Sequence, residues 1–223
     1  AKLYGKSTGD QHEHDYPFTW NGEIVELHYR MALLYNKRYN KTLQRIIRDE
    51  YVQGVPNVIS LEGAEIETVP VTLYVLYQMV HISFHFLNEG IGMRQFCDLA
   101  LYLRNHHNEI DFQKLNGWIE ELGMRKLVDL YATFLCQKLG LDESVIPWKT
   151  DSPYLNVLCE DIFNGGNFGK LRFGFKGKSS FLVQKMKALP LHWKNYRRYH
   201  ELWPKETTAS FISKWKRAVI GIK

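Results

Sequence analysis

From Thr68 to Asn88 the chain runs for twenty-one residues without an Asp, Glu, Lys or Arg. That length is close to what a helix needs to cross a bilayer. Gln78, His81, Ser83, His85 and Asn88 nevertheless fall inside the run, and their polar groups would have no water in hydrocarbon. Pro70 and Gly90 bracket it, as expected of a helix of ordinary soluble length. The run is therefore read as a central helix buried by its neighbours, with a transmembrane span as the weaker alternative. A chain of 223 residues with 45% hydrophobic content can surround such a helix with one substantial core or two modest ones.

Charge is divided unevenly around that helix. The net charge of +5 resolves into 14 basic and 2 acidic residues over positions 170–223 and 15 basic and 22 acidic residues before them, +12 against −7. Cys97, Cys136 and Cys159 can form no closed disulfide framework, and none has zinc-ligand spacing. A reducing, cytoplasmic compartment is the expectation. The polar start, Ala1 to Asp10, has no apolar core of a secretory signal.

The N-terminal part reads as β structure. Tyr16 to Trp20 and Glu23 to Arg30 flank Asn21-Gly22, a dipeptide suited to the positive backbone angles of a tight hairpin. Strand alternation puts Ile24, Glu26, His28 and Arg30 on one face of the second run and Val25, Leu27, Tyr29 and Met31 on the other. Helical spacing takes over from Lys37 to Tyr51, and residues 53–67, with Gly54, Pro56 and Gly63, are read as a break or short loop. Further helices are predicted over 70–87, 93–105, 112–122, 124–139 and 151–163, the last with Asp151 or Ser152 as cap and Pro153 in its first turn. A glycine-rich loop over 165–180 and two basic helical segments, 180–203 and 206–220, complete the chain.

Four short motifs occur in a defined order: Val25-Glu26-Leu27-His28-Tyr29-Arg30, His81-Ile82-Ser83-Phe84-His85, Gly92 through Leu101, and Gly165-Gly166-Asn167-Phe168-Gly169. Over about residues 10 to 175 this resembles a bacterial family of uncharacterised nucleotidyltransferase-like proteins, which carry a polymerase-β-type core followed by helices. The resemblance implies transfer of a nucleotidyl group from an NTP to an unidentified acceptor, with Mg²⁺ held by an Asp-x-Asp strand and a third carboxylate. Glu26 matches that third carboxylate, as catalytic residue and metal ligand. The Asp-x-Asp strand and the Gly-Ser phosphate loop have no counterpart among residues 1–25. The expectation is a C-terminal part of a longer enzyme or a member that has lost catalysis, and the absent initiator Met favours the first.

Each candidate has a plainer reading beside the functional one. Glu26 is a metal-site carboxylate or a solvated strand residue paired with Arg30. His28 lines the same cleft or hydrogen-bonds across the hairpin, and Arg30 lines that cleft or pairs with Glu26. His81 and His85, one helical turn apart, are buried hydrogen-bonded histidines, substrate-pocket residues or, least favoured, metal ligands. Arg94 and Asp98 share a helix face, either as a partly buried pair fixing the helix or as pocket lining. Asn167 belongs to a tight turn or a substrate contact.

The basic segment interleaves charge with rings at Trp193, Tyr196, Arg197, Arg198, Tyr199, Trp203, Trp215, Lys216 and Arg217. Three readings stand: amphipathic helices solvated on their basic side, docking against the chain's own acidic region, or binding to nucleic acid or another anionic surface. The fold class is α+β and mostly helical, with an N-terminal antiparallel hairpin. Residues 1–68 form a partial nucleotidyltransferase-like region and 69–223 a helical domain. The competing function is a non-catalytic helical binding module that holds an anionic partner through its basic segment.

Overall fold

The structure, a computed structural model, describes residues 15–20, 22–28, 31–88, 90–165, 190 and 193–220. Two compact units divide between Leu33 and Leu34. The class is α+β with helices dominant.

The first unit is a hairpin of β1 (Asp15–Trp20) and β2 (Glu23–His28), antiparallel from Asp15 opposite His28 to Trp20 opposite Glu23. Two residues connect the strands, and Gly22 has a φ of 88°, the left-handed backbone predicted for the Asn-Gly turn. Glu26 sits opposite Pro17 in the register.

In the second unit α1 (Lys37–Gln53) begins at Asn36, whose side chain accepts the backbone N–H groups of Arg38 and Tyr39, both at 3.1 Å. The cap satisfies two donors that the first turn leaves without helical partners. Residues 53–67 are not a loop throughout. Asn57–Leu61 (β3) and Ala64–Thr68 (β4) pair as an antiparallel hairpin across Glu62-Gly63, whose φ values of 50° and 82° form a tight two-residue turn. The register puts Ile59 opposite Ile66 and Leu61 opposite Ala64. These side chains are exposed, so burial supplied little apolar signal, and the glycine that signals the turn reads equally well as a breaker.

The charge-free run forms α2 (Val71–Asn88). Leu73, Val75, Leu76, Met79, Val80, Ile82 and Phe86 are buried along it, and among the described residues no helix is long and apolar enough to cross a membrane. Around it pack α3 (Met93–His106) and α4 (Phe112–Leu122), and α5 (Arg125–Leu139) packs in turn on α3 and α4. Tyr131, buried on α5, shares a 2.9 Å hydrogen bond with Ser83 of α2, whose hydroxyl also donates to the Met79 carbonyl at 2.7 Å. The α4 and α5 ends carry glycine caps, Gly123 and Gly140. At Gly123, φ is 66° and a Cβ would lie 2.5 Å from the Tyr39 hydroxyl, so both backbone hand and space require glycine.

The sixth helix, α6 (Leu155–Gly165), starts four residues later than the sequence suggests. Ser152 donates its N–H to Thr133 Oγ1 at 3.0 Å, and Gln137 donates to the Thr150 carbonyl at 2.8 Å. These tertiary bonds hold 150–154 against α5 outside the helical path. Residues 193–199 form α7, which ends at His200 rather than continuing to Trp203, and α8 (Pro204–Ile220) starts with Pro204 in its first turn. Residues 166–189, which include Asn167 and all of the predicted glycine-rich loop beyond Gly165, lie outside the described residues.

Glu206 of α8 clamps the entry to α1. Its carboxylate accepts the N–H groups of Tyr35 at 2.7 Å and Asn36 at 2.8 Å. Burial pushes the Glu206 carboxyl above its ordinary value of 4.5, against the lowering effect of those two donors. Folding therefore takes up a proton in that window, and this contribution is full below the ordinary value and declines as pH rises through the raised one. Glu206→Gln removes the titration but keeps a carbonyl acceptor. Its thermal-stability deficit should widen as pH falls from about 7 to about 4; a deficit that stays constant across this range, measured by melting curves, would contradict the assignment.

Candidate functional site

The half-covered face of α2 brings the chain's polar-tipped rings together. Tyr74, Tyr77, Gln78, His81, Phe84 and His85 recur at three- and four-residue intervals, so they share one side of the helix. All six are neither fully buried nor fully exposed. Ring contacts run without interruption along this side: Tyr74 to Tyr77 at 6.2 Å, Tyr77 to His81 at 5.7 Å, His81 to His85 at 4.5 Å and Phe84 to His85 at 5.6 Å between centroids. Tyr35 stacks on Phe84 at one end, 6.2 Å away. At the other end Tyr74 meets Tyr102 of α3 at 4.6 Å, and Tyr102 stacks on His106 at 4.4 Å. His106 in turn pairs through Nδ1 with Glu109 at 2.8 Å.

The Tyr74–Tyr102 contact joins the start of α2 to the end of α3, so the two helices run antiparallel. Gln95, two turns before Tyr102, lies on the same side of α3. Along this seam the amide oxygens of Gln78 and Gln95 and the hydroxyl of Tyr102 are shielded from solvent and have no hydrogen-bond partner. A buried polar atom left unpaired costs about 1–3 kcal/mol, so three on two adjoining helices are not explained by packing. Burial pushes the Tyr102 hydroxyl up to about 12, with Tyr74 and the Glu109 carboxylate adding to the shift. Burial raises Tyr77 as well, with Tyr74 adding to it. Both phenols therefore keep their protons at neutral pH and remain able to donate.

The structure thus joins His81 and His85, which sequence reasoning singled out, to each other and to residues it missed. Neither is the fully buried histidine that was the leading expectation. Among the described residues no group of three His, Cys, Asp or Glu side chains could hold a metal ion. The missed members, Tyr74, Tyr77, Gln78, Gln95 and Tyr102, had one available signal, the helical spacing of polar-tipped aromatics with the histidines.

Arg94 and Asp98 do not join this seam. Their side chains are 89% and 58% exposed and 3.9 Å apart, an exposed one-turn pair worth little. The expected partial burial does not occur, because Phe96 and Leu99 occupy the inward face of α3 instead. Glu26 and His28 are placed two residues apart on β2. Arg30 and Asn167 lie outside the described residues.

Two other surfaces are less available to a ligand than the seam, because cations in them are already paired. An open depression of about 410 Å³ between the end of α1 and the start of α4 has Lys114 in its lining, but Lys114 is already 2.5 Å from Glu50. In the basic segment, Arg198 docks on the chain's own acidic residues, 2.7 Å from Glu160 and 3.2 Å from Asp161. Tyr199 and Trp203 are buried, and Lys214 donates to Asn88 at 2.6 Å. Trp193 and Trp215 remain exposed beside exposed Lys194, Arg197 and Lys216.

The family model of uncharacterised nucleotidyltransferases matches residues 4–140, more than half of the chain. The chain belongs to that family. Its match takes in both β-hairpins and α1 to α5 and ends on Gly140, the C-cap of α5, so the α2–α3 seam and β2 both lie within the family's shared region. Helices α6 to α8 lie beyond it. No curated protein and no solved structure matches the chain.

Proposed function

We propose that this family member takes part in nucleotidyl transfer from an NTP to an acceptor hydroxyl, with Glu26 of β2 as a metal-binding carboxylate. The observation that carries the reading is the family match across residues 4–140, a span that includes the positions of Glu26, His81 and His85. In such a transfer the acceptor oxygen bonds to the α-phosphorus, the α–β phosphoanhydride bond breaks, and pyrophosphate leaves with the electron pair. A divalent cation, when bound, neutralises the triphosphate and favours ionisation of the attacking hydroxyl.

The Glu26 carboxylate has the hard-oxygen chemistry that Mg²⁺ prefers. A single carboxylate does not make a Mg²⁺ site, and the described residues contain no cluster of three candidate ligands. The remaining carboxylates have to come from outside the described residues. His28, two positions along β2, and Arg30 would approach the anionic phosphates as cations or hydrogen-bond donors.

A second reading, a non-catalytic binding module, draws on the exposed Trp193 and Trp215 beside exposed Lys194, Arg197 and Lys216. One experiment separates the two. Pyrophosphate release and label transfer from α-labelled NTPs are measured with Mg²⁺ for the protein as its gene encodes it and for Glu26→Gln. Transfer that is lost in the variant, with unchanged melting behaviour, supports Glu26 in the site. Transfer at the parent's rate in the variant removes it, and absence of transfer from the parent with every NTP favours the binding module.

A further inference from the structure

We propose that the seam between α2 and α3 binds a planar nitrogen heterocycle of the nucleobase class, its face on Tyr77 and the two histidines and its edge on Gln78, Gln95 and Tyr102. The proposal deepens the nucleotidyl-transfer reading by naming where a base is held, and it rests on that reading only for the ligand's biological source. The helices themselves supply the argument.

Three observations converge on this chemistry. First, the ring contacts from Tyr35 to His106 form one continuous strip whose members all stay half-covered. Interior aromatic clusters in this protein behave differently: Phe96, Tyr131 and Phe134 also touch one another, yet they are wholly buried. A strip of rings held at the surface offers π-faces to a flat ligand, since stacking needs a face and little else.

Second, the unpaired atoms are shielded beneath that strip, where a ligand edge reaches them by entering between α2 and α3, and they have complementary character. Gln78 and Gln95 each present a carbonyl oxygen that needs an N–H donor, and Tyr102 presents a hydroxyl that stays protonated to donate. A nucleobase edge carries N–H donors and ring-nitrogen or carbonyl acceptors side by side. Enzymes that read an isolated base use this combination of stacking and edge hydrogen bonds. Bulk apolar ligands would leave the three atoms unpaired.

Third, the α2 part of the strip carries no fixed charge, and the carboxylate at the strip's far end, Glu109, is paired with His106. Helix α2 has no Asp, Glu, Lys or Arg, and Arg94, the cation nearest in sequence on α3, is 89% exposed. A polyphosphate needs cations or clustered backbone donors. The seam therefore suits the uncharged, flat end of a nucleotide or nucleoside and not its phosphate end.

Nucleosides without phosphate, titrated in the absence of metal, test the site alone. Ring C–H signals of His81 and His85, assigned through His81→Gln and His85→Gln, are followed by NMR while adenosine, guanosine, cytidine and uridine are added, with ribose as control. At least one nucleoside should shift both signals saturably, and ribose should shift neither. Gln78→Leu, which replaces a buried, unpaired amide oxygen with an apolar group, should raise the melting temperature while weakening nucleoside binding about tenfold, and Tyr102→Phe should weaken it similarly.

No saturable shift with any nucleoside to about 10 mM, weaker than any affinity a built site would show, would overturn the proposal. So would equal shifts with ribose, or Gln78→Leu and Tyr102→Phe proteins that fold and bind as the parent does. Because phosphate and metal are absent, a negative result leaves nucleotidyl transfer standing. Loss of transfer in the earlier assay conversely says nothing about nucleoside binding.

Discussion

Replacing Trp203 with Ala should lower the unfolding free energy by about 3–5 kcal/mol, the range for removing a large buried aromatic. Trp203 is 0% exposed and lies at the join of three segments. Its indole N–H donates to the Leu122 carbonyl at 2.8 Å, and its ring stacks on Tyr39 of α1 at 6.0 Å. Leu122 is the last residue of α4, so its carbonyl belongs to the group that a helix end leaves without an internal partner. The variant thus creates a cavity and also exposes the unpaired end of α4. Trp203→Phe separates the two effects. It keeps most of the ring but removes the donor, and its deficit should be smaller, about 1–3 kcal/mol. Denaturant unfolding of the two variants checks this ordering: a negligible deficit in Trp203→Phe would deny the indole hydrogen bond any role, and equal deficits would deny one to the ring's packing.

Asp161→Ala should be the second severe substitution, with a loss of about 2–4 kcal/mol. Asp161 is 1% exposed on α6. It accepts a hydrogen bond from the buried Tyr199 hydroxyl and lies 3.2 Å from the Arg198 guanidinium. Removing the carboxylate leaves a buried phenol without that acceptor. Arg198 suffers less, because it is partly exposed and keeps Glu160 at 2.7 Å. The loss should therefore shrink in an Asp161→Ala, Tyr199→Phe double variant relative to the sum of the single changes. Strict additivity in a double-mutant cycle would show that the two groups do not depend on each other.

Both sites lie where the basic segment meets the rest of the chain. The segment's composition was compatible with an anionic partner, with solvation, or with docking on the acidic part of the same chain. Arg198 and Tyr199 meet Glu160 and Asp161, and Trp203 meets α1 and α4, so docking accounts for this part of the segment. The outward-facing Trp193 and Trp215 were not distinguishable from the buried Trp203 in sequence. All three sit among Lys and Arg, and only the packing of α7 and α8 decides which face is inward.

Helices α2 to α5 were legible because glycines and polar clusters mark their joints and because each carries a periodic apolar face. The hairpin of β3 and β4 was not, since its strands are short and exposed and its turn glycine resembles a breaker. The start of α6 was displaced by hydrogen bonds from Thr133 and Gln137, residues 19 and 13 positions away from their partners, a distance no local pattern reports. The half-covered histidines show the same limit at the candidate site. Their spacing placed them together on α2, but Tyr102 and Gln95 come from a second helix whose contacting side had to be seen.

By itself the sequence determined the central helix, through twenty-one residues without fixed charge, the Asn-Gly hairpin that carries Glu26, and the α+β class. Those are local matters, set by backbone preference and apolar periodicity. Tertiary structure alone decided which side of the central helix stays half-open, which rings line it and which amides lose water without gaining a partner. Burial is a property of what packs against a residue, and for Gln78 of α2 that partner is α3, fifteen to twenty-eight positions further along the chain.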